Sequence, residues 1–362
     1  MNSDPHTRSS RTRPIAGTRS AVRARVPLRL GLAGGGTDLS PYCDDFGGAV
    51  LNTTIDRYAY AFIERSADGN VHFIAPDVGI DEAFDPRDIN GTIPVHAKLR
   101  LHAGVLAGIS RRFSVQVEPW RITSFVDAPP GSGLGSSSAL VVALVEAFVS
   151  LLQLPLGPYD VAHLAYEIER IDLGLQGGKQ DQYAGTFGGT NFIEFLAQNQ
   201  VIVNPLRLSS RIRNEVEMSL VIAFTGVSRA SADIIAEQRS GLLKVTEETM
   251  RNMHRLKQDA HDMKNALLRG EVAYMAEILN RSWEAKKNTA RGISNPLIEK
   301  LYGQAMADGA IGGKVSGAGG GGFMMFLVPP ERRVQVIRGL NGAGAQAGGV
   351  HLVTEGAETW LS

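Results

Sequence analysis

The sequence predicts an α+β protein built as two lobes, and three observations support this. Its 362 residues are enough to form two hydrophobic cores. Strand-like and helix-like segments occur in separate runs, without the regular alternation of a parallel α/β sheet. The pattern changes around Asn204–Arg213. We therefore expect an N-terminal lobe over residues 21–205 and a C-terminal lobe over residues 206–362.

Alternating apolar residues predict the strands of the first lobe. One strand begins at Ala21 and runs into a glycine-rich segment. The others are predicted at Ala49–Arg65, Val71–Phe73, Phe113–Val117 and Ile122–Val126. Ser137–Leu152 is apolar nearly all round, which predicts a buried helix. Tyr159–Ile171 predicts an amphipathic helix after a break rich in Pro and Gly.

The second lobe is predicted to be mainly helical. Its first strand is expected at Met218–Phe224. Helices are expected at Ser231–Arg239, Leu243–Arg269, Val272–Asn288, Asn295–Asp308 and Pro330–Leu340. Two further strands are expected at Gly322–Val328 and Val350–Glu355.

Composition narrows the class of protein. Lys plus Arg and Asp plus Glu each total 37, so the net charge gives no reason to expect nucleic acid or an anionic membrane surface as a partner. The single cysteine, Cys43, excludes an internal disulfide and fits a reducing compartment. The most apolar stretches, such as Ala139–Leu154, are too short or too interrupted to span a bilayer. We predict a cytoplasmic protein and leave its oligomeric state open.

Residues 1–20 are rich in Ser, Arg, Thr and Pro and poor in apolar residues. This composition predicts a disordered arm. The arm is basic, so an interaction tail is the alternative.

The most informative motif is the glycine-rich run Pro129–Ala139, which leads directly into the predicted buried helix. Glycines let backbone amides approach a charged group, and a helix N-terminus favours anions. The run therefore predicts a phosphate-binding loop, and a capped helix with a flexible lead-in is the plainer alternative. Its spacing matches neither a P-loop nor a dinucleotide-binding fingerprint.

Two further glycine runs strengthen the phosphate interpretation. Pro27–Asp38 places Arg29 at the end of a strand, before a loop that ends in Thr-Asp. Lys314–Phe323 contains so many glycines that a close backbone approach to another group is the favoured explanation, because such a loop is entropically costly to order.

The three runs, in this order, resemble the signature motifs of the GHMP kinases, which include galactokinase, homoserine, mevalonate and phosphomevalonate kinases. The resemblance covers essentially residues 23–362. It implies a ribosomal-protein-like N-terminal lobe and a ferredoxin-like C-terminal lobe, with ATP and substrate between them. It also implies that ATP contacts Pro130, Gly131, Gly133, Leu134, Gly135, Ser136, Ser137 and Ser138.

The resemblance also implies how the chemistry is shared. Asp181 lies in a segment similar to the one that carries the catalytic aspartate of galactokinase-like members, so it is expected to be the general base. Arg29 would hold Asp181 ionised and neutralise developing charge. Mg²⁺ would be bound by Ser137 and Glu169, with Ser136 and Glu167 as the competing residues.

The first motif bears on the substrate. It has Gly35 and Gly36 where galactokinase has Glu and His, which leaves room for a larger or anionic sugar. Substrate contacts are implied for Gly35, Gly36, Thr37, Asp38, Lys179, Gly317 and Gly319. Lys179 is equally well explained as a solvated lysine.

Together the motifs resemble the bacterial heptose 7-phosphate kinases of the family. This resemblance implies an ATP-dependent kinase that phosphorylates the anomeric C1 hydroxyl of D-glycero-D-manno-heptose 7-phosphate for surface polysaccharide synthesis. A fucose or galactose 1-kinase and a non-catalytic sensor of ATP and sugar are the alternatives. The distal phosphate needs cations, and the sequence does not select among Lys98, Arg100, His102 and Arg229.

Overall fold

The computed structural model describes residues 21–227, 247–289 and 292–361. The predicted N-terminal arm, the predicted helix Ser231–Arg239 and the candidate cation Arg229 lie outside these residues.

The first lobe is built on an eight-stranded sheet. Its strands are β1 (Ala21–Ala33), β2 (Gly48–Arg65), β3 (Val71–Ala75), β4 (Ile80–Phe84), β5 (Trp120–Val126), β6 (Thr190–Phe195), β7 (Val201–Pro205) and β12 (Glu358–Leu361). The main order is β12-β1-β2-β5-β3-β4, and β6 pairs with both β2 and β7. Only the β3–β5 pair is parallel among the strand pairs of the described residues.

The described residues of the first lobe also form six α-helices. They are α1 (Tyr42–Phe46), α2 (Pro86–Ile89), α3 (Arg100–Phe113), α4 (Ser136–Leu152), α5 (Pro158–Tyr166) and α6 (Gln180–Phe187), with a π-helical turn at Glu167–Asp172. The helix α4 packs against β1, β2 and three neighbouring helices. Because it is enclosed, it is apolar on nearly every side, as its sequence predicts.

The second lobe contains a four-stranded antiparallel sheet in the order β11-β8-β10-β9. Its strands are β8 (Leu220–Phe224), β9 (Gly312–Val315), β10 (Phe323–Leu327) and β11 (Gln346–Gly348). The helices are α7 (Ser210–Ser219), α8 (Glu247–Arg269), α9 (Val272–Lys287), α10 (Pro296–Ala307) and α11 (Arg333–Gly342). Short 3₁₀ turns lie at Ala197–Asn199 and Pro330–Arg332.

Two predicted strands are wrong. Phe113 ends the helix α3, and Ser114 takes a left-handed conformation that closes it, so no strand forms over Phe113–Val117. The segment Val350–Glu355 forms only an isolated bridge from Leu352 to Ile55. Sequence periodicity cannot separate a short strand from a helix end or from a segment that lies along another sheet.

The last strand lies in the first lobe's sheet, although its residues fall within the predicted second lobe. β12 pairs with β1 in antiparallel register, and Arg25 Nε donates a 2.6 Å hydrogen bond to Glu358. The chain therefore passes from the first lobe to the second after β7 and returns to the first after β11.

The two lobes are joined by a common hydrophobic core as well as by the two connecting segments of the chain. One apolar core includes Leu51 and Val142 of the first lobe together with Met263 and Met325 of the second. At the edge of this core, Phe323 N donates a 2.8 Å hydrogen bond to the carbonyl of Ser132. A Cβ on Gly317 would lie 2.7 Å from Cα of Gly133, so the second and third glycine runs meet backbone to backbone.

Candidate active site

A cleft of about 300 Å³ lies where the three glycine runs meet. Residues between 29 and 39, between 131 and 138 and between 169 and 181 form its first-lobe wall. The second lobe contributes Lys286, Lys314, Gly317 and Ala318.

The second glycine run has the geometry of an anion-binding loop. Gly131, Gly133 and Gly135 all have positive φ, at 72°, 79° and 75°. Gly135 is the N-cap of α4 and offers no side chain to cap the helix. The first amides of α4 are thus left without a side-chain cap at the cleft, as phosphate recognition requires.

Arg29 and Asp181 form an ion pair beside this loop. Arg29 comes from β1, and Asp181 lies in the first turn of α6. Arg29 Nε and Nη2 lie 2.7 and 2.6 Å from Oδ1 of Asp181, and Nη1 donates to the carbonyl of Gly133 at 2.6 Å. Among the described residues, Oδ2 of Asp181 makes no hydrogen bond, so one carboxylate oxygen is available to a substrate.

Glu169 is buried behind the start of α4, in the π-helical turn. Its Oε1 accepts a 2.8 Å hydrogen bond from Ser137, and its Oε2 accepts bonds from Ser138 at 2.7 Å and Gln182 at 2.6 Å. Nη1 of Arg170 lies 3.1 Å from the same Oε1 of Glu169. The carboxylate is therefore fixed by neighbours, with Oε1 facing the cleft side at Ser137.

The donor set at Ser137 and Glu169 fits a magnesium ion. A hydroxyl and a carboxylate oxygen 2.8 Å apart can both turn toward one cation, and both are hard oxygen ligands. Among the described residues, no group of three His, Cys, Asp or Glu side chains forms a metal site. This sparse donor set suits Mg²⁺, which keeps waters and takes other ligands from substrate phosphates.

Asp38 forms the opposite side of the cleft with the first glycine run. Its Oδ1 accepts from the amide of Gly36 at 3.2 Å, and its Oδ2 accepts from the amide of Gln180 at 3.1 Å. Burial raises the pKa of the Asp38 carboxyl, and these amide bonds act against that rise. A Cβ on Gly36 would meet no atom within 4 Å, so the loop leaves open space here.

Five predicted contact residues do not line the cleft. The buried hydroxyl of Thr37 lies 2.8 Å from the carbonyl of Gly34 and 2.9 Å from that of Ala49, and so supports the loop. Lys179 is also buried rather than solvated, and its Nζ donates to Asn199 at 2.9 Å. The remaining three are Pro130, which is exposed, Leu134, which is buried, and Gly319, which packs on Ile293.

Of the four candidate cations for a distal phosphate, the three that fall within the described residues do not line the cleft. His102 is buried, its Nε2 lies 2.8 Å from the hydroxyl of Ser124, and burial lowers its pKa to about 4. A histidine that is neutral at pH 7 cannot supply a positive charge to a phosphate. Lys98 and Arg100 are exposed residues at the start of α3 that do not line the cleft.

Sequence reasoning missed several cleft residues. Arg170 ties the carbonyls of Gln176 and Gly178 to the glutamate, at 3.3 Å each. Lys286 and Lys314 enter from the second lobe. Lys314 is the first residue of the third glycine run, which is a usable signal, whereas Lys286 lies in a charged helix end typical of a solvated surface.

Comparisons with known proteins agree with this architecture. The model of the GHMP kinases N terminal domain matches residues 100–189, and that of the GHMP kinases C terminal domain matches residues 263–346. A D-glycero-alpha-D-manno-heptose 7-phosphate kinase of Campylobacter jejuni is 42% identical over 339 residues, which is 94% of this chain and 98% of the relative.

Solved structures of sugar kinases are also similar to this chain. A structure named as a D-glycero-D-manno-heptose 1-phosphate kinase from Bacteroides thetaiotaomicron has a TM-score of 0.78 and 41% identity, covering 94% of this chain and 98% of that one. A Lactococcus lactis galactokinase complexed with galactose, at 18% identity and a TM-score of 0.73 over 95% and 96% of the two chains, shares the fold. No helix of the described residues is long and apolar enough to cross a membrane.

The predicted two-lobed fold is confirmed by these matches. The 42% identity to a heptose phosphate kinase extends over nearly the full length of both chains, and it carries the conclusion from fold to activity. The chain belongs to the GHMP kinase family and is an ATP-dependent sugar kinase.

Proposed function

We propose that this kinase transfers the γ-phosphoryl group of ATP to the anomeric C1 hydroxyl of D-glycero-D-manno-heptose 7-phosphate, giving the 1,7-bisphosphate. The observation that supports it most directly is the Arg29–Asp181 pair, set between the phosphate loop and the open first glycine run. The 42% identical relative supports the choice of sugar.

Asp181 is the proposed general base. Arg29 occupies Oδ1 from two nitrogens, which leaves Oδ2 free and holds the carboxylate in one orientation. As the new O–P bond forms, the bond from the γ-phosphorus to the β–γ bridging oxygen breaks, and ADP leaves with that electron pair. The hydroxyl proton passes to Asp181, so atoms and charge balance.

The phosphate loop and Arg29 supply the charge stabilisation. Phosphoryl transfer depends on positioning and on neutralising the oxygens of the transferred group. The N-terminal amides of α4 would face the nucleotide phosphates, while Arg29 reaches Gly133 of the same loop. Mg²⁺, when bound by Ser137 and Glu169, would neutralise phosphate charge beside them.

Asp38, Gly35 and Gly36 are the proposed sugar-facing residues. The Asp38 carboxylate is already oriented by two amides, and its remaining lone pairs can accept hydroxyl protons. A Cβ on Gly36 would meet no atom within 4 Å, and this open space supports the proposal of a sugar larger than a hexose.

The position of the phosphate on the substrate is the point to test. The two similar proteins are named for a heptose 7-phosphate and for a heptose 1-phosphate. Measuring kcat/KM with heptose 7-phosphate, heptose 1-phosphate and free heptose, and locating the new phosphate by phosphorus–proton NMR, decides between them. Two charge-assisted hydrogen bonds of about 1.5–3 kcal/mol each would favour the 7-phosphate over free heptose by roughly two to four orders of magnitude. Equal efficiency on free heptose, or transfer to another hydroxyl, would overturn the proposal.

A fucose or galactose 1-kinase is the alternative within the family. A bifunctional fucokinase/GDP-fucose pyrophosphorylase of Arabidopsis thaliana is 26% identical over 88% of this chain, which spans 31% of that relative. Turnover of L-fucose or D-galactose above that of heptose 7-phosphate would favour this alternative. Binding of ATP and sugar without any turnover would instead indicate the sensor. The cytoplasmic location and the role in surface polysaccharide remain predictions.

A further inference from the structure

Two buried lysines of the second lobe face the cleft without a matching carboxylate. Lys286 lies at the end of α9 and is 6% exposed, while Lys314 lies in β9 and is 4% exposed. Lysine is seldom buried without a partner, because removing an ammonium group from water is costly.

The hydrogen bonds of the two lysines leave most of their donors unused. Lys286 Nζ donates to the carbonyl of Gly317. Among the described residues, Nζ of Lys314 makes no hydrogen bond or ion pair. An ammonium has three donors, so the pair offers several N–H groups to a ligand.

The carboxylates nearby are already engaged. Asp181 is held by Arg29. Asp259 of α8, whose charge acts on Lys314, has its Oδ1 2.7 Å from Nε of Arg281 and 3.2 Å from Nε of Arg255.

The charge balance of the cleft is consequently positive. Among the described residues, its cations are Arg29, Arg170, Lys286 and Lys314. Its carboxylates are Asp38, Glu169 and Asp181. Arg29 pairs with Asp181 and Arg170 with Glu169, so the two lysines face Asp38 alone. One positive charge is left over, which favours the binding of an anion such as a phosphoryl group.

The place of Lys286 identifies which anion would reach it. Its partner Gly317 packs against Gly133 of the phosphate loop. Its Nζ lies 3.9 Å from the position of a Cβ on Gly35, in the first glycine run. The ammonium therefore lies between the phosphate loop and the first glycine run.

We propose that Lys286 and Lys314 are the second lobe's half of a phosphate-binding site, which contacts the phosphoryl group as it passes from ATP to the sugar. This rests on the proposed function and adds to it two residues that bind the transferred group. A phosphate carried by the sugar has the same chemistry, and the experiment below separates the two sources.

The test compares Lys286→Met and Lys314→Met with Lys300→Met, which removes an exposed lysine on α10 of the same lobe. For each variant, kcat and KM are measured with ATP and with phosphorylated and free heptose. We expect kcat to fall by roughly 100-fold for either cleft variant and by the same factor on both sugars, the scale of losing one transition-state donor. A loss confined to the phosphorylated sugar would assign the site to the sugar's own phosphate. Unchanged kinetics on both sugars would overturn the proposal.

Binding of inorganic phosphate provides a readout that does not need turnover. Millimolar phosphate should raise the Tm of the wild-type protein, and this rise should be lost in Lys286→Met and Lys314→Met but kept in Lys300→Met. Lys286→Arg and Lys314→Arg keep the charge and should retain part of the rise if a methionine variant fails to fold. A wild-type protein that shows the rise but phosphorylates no sugar would reject the proposed function alone. An equal rise in the methionine variants would reject the phosphate site alone.

Discussion

Arg29 and Asp181 meet through a single carboxylate oxygen. Both Nε and Nη2 of Arg29 lie within 2.7 Å of Oδ1, while Oδ2 faces Gly135 of the phosphate loop, 3.4 Å from the position of a Cβ there. The contact at Oδ1 orients the carboxylate, and Oδ2 remains available to accept a proton. The pair therefore fixes a carboxylate oxygen beside the phosphate loop, where the proposed base is required.

Asp181→Asn should lower kcat by roughly two or more orders of magnitude, because an amide cannot accept the hydroxyl proton. The Kd of ATP should change little, since the phosphate loop is intact. Asp81→Asn, an exposed carboxylate on β4, is the matched control and should leave kcat unchanged. Near wild-type turnover of Asp181→Asn would refute its role as the base.

Gly135→Ala should weaken ATP binding and turnover more than it weakens folding. The new Cβ would lie 3.2 Å from Cγ of Asp181, in a backbone conformation with φ of 75°. Gly69→Ala has a similar φ of 84° but meets no atom within 4 Å, so it measures the backbone strain alone. We expect the free energy of unfolding to fall by roughly 1–2 kcal/mol in both variants. Their Tm values should therefore fall by similar amounts. Equal ATP affinity in the two variants would show that the loop is only a helix lead-in.

The rate should fall as pH rises through the range from 7 to 8. Burial, together with the neighbouring charge of Arg29, lowers the pKa of Lys286 to about 8. Burial, together with the charges of Lys286 and Arg29, lowers the pKa of Lys314 to about 7. Asp38 and Asp181 act in the opposite direction on Lys286, and Asp259 does so on Lys314. Only the protonated lysines attract phosphate, so kcat/KM should decline on the alkaline side. The combined variant Lys286→Met/Lys314→Met should lose this decline in a pH–rate profile, and its persistence would assign the decline to another group.

Stability should respond to pH in the opposite sense. Between pH 7 and the unfolded lysine pKa of about 10.5, the unfolded chain binds more protons than the folded one at these two sites. Their contribution to the free energy of unfolding therefore rises with pH over that range. Replacing both lysines with Met should flatten this dependence in urea unfolding measured from pH 7 to 9, and an unchanged slope would contradict it.

Ser137→Ala should raise the Mg²⁺ concentration needed for half-maximal rate by roughly tenfold or more, the scale on which metal sites respond to lost support. The hydroxyl removed is the one 2.8 Å from Oε1 of Glu169. Ser150→Ala, near the other end of α4, is the control and should leave the Mg²⁺ dependence unchanged. The measurement is initial rate against free Mg²⁺ at saturating ATP. An unchanged Mg²⁺ titration in Ser137→Ala would remove this serine from the metal site.

Local sequence is sufficient to predict the candidate site residues that lie together in short motifs. The phosphate loop, Arg29 and Asp181 lie in glycine-rich motifs whose residues are close in sequence, and the structure brings them to one cleft. The buried helix α4 was equally clear because its enclosure requires apolar residues on every side.

Other features depend on distant partners and could not be found in this way. The sequence predicts that Thr37 contacts the sugar. In the structure its hydroxyl instead donates to the carbonyl of Ala49, which β2 places beside it. Lys286 stands between Glu284 and Lys287 in a pattern typical of a solvated helix end, yet it is buried and donates to Gly317 of the third glycine run. His102 becomes a neutral core residue because α3 packs it toward Ser124.

The pairing of β12 with β1 constrains how the kinase can open. The chain joins the lobes twice, after Pro205 and again after Gly348, and a shared core lies between those crossings. A body tethered at two points can rotate only about the line that joins them, and even that rotation would shear packed side chains. For the same reason, removing the last strand would release one of the two tethers and would also uncover the edge of the sheet that bears Arg29.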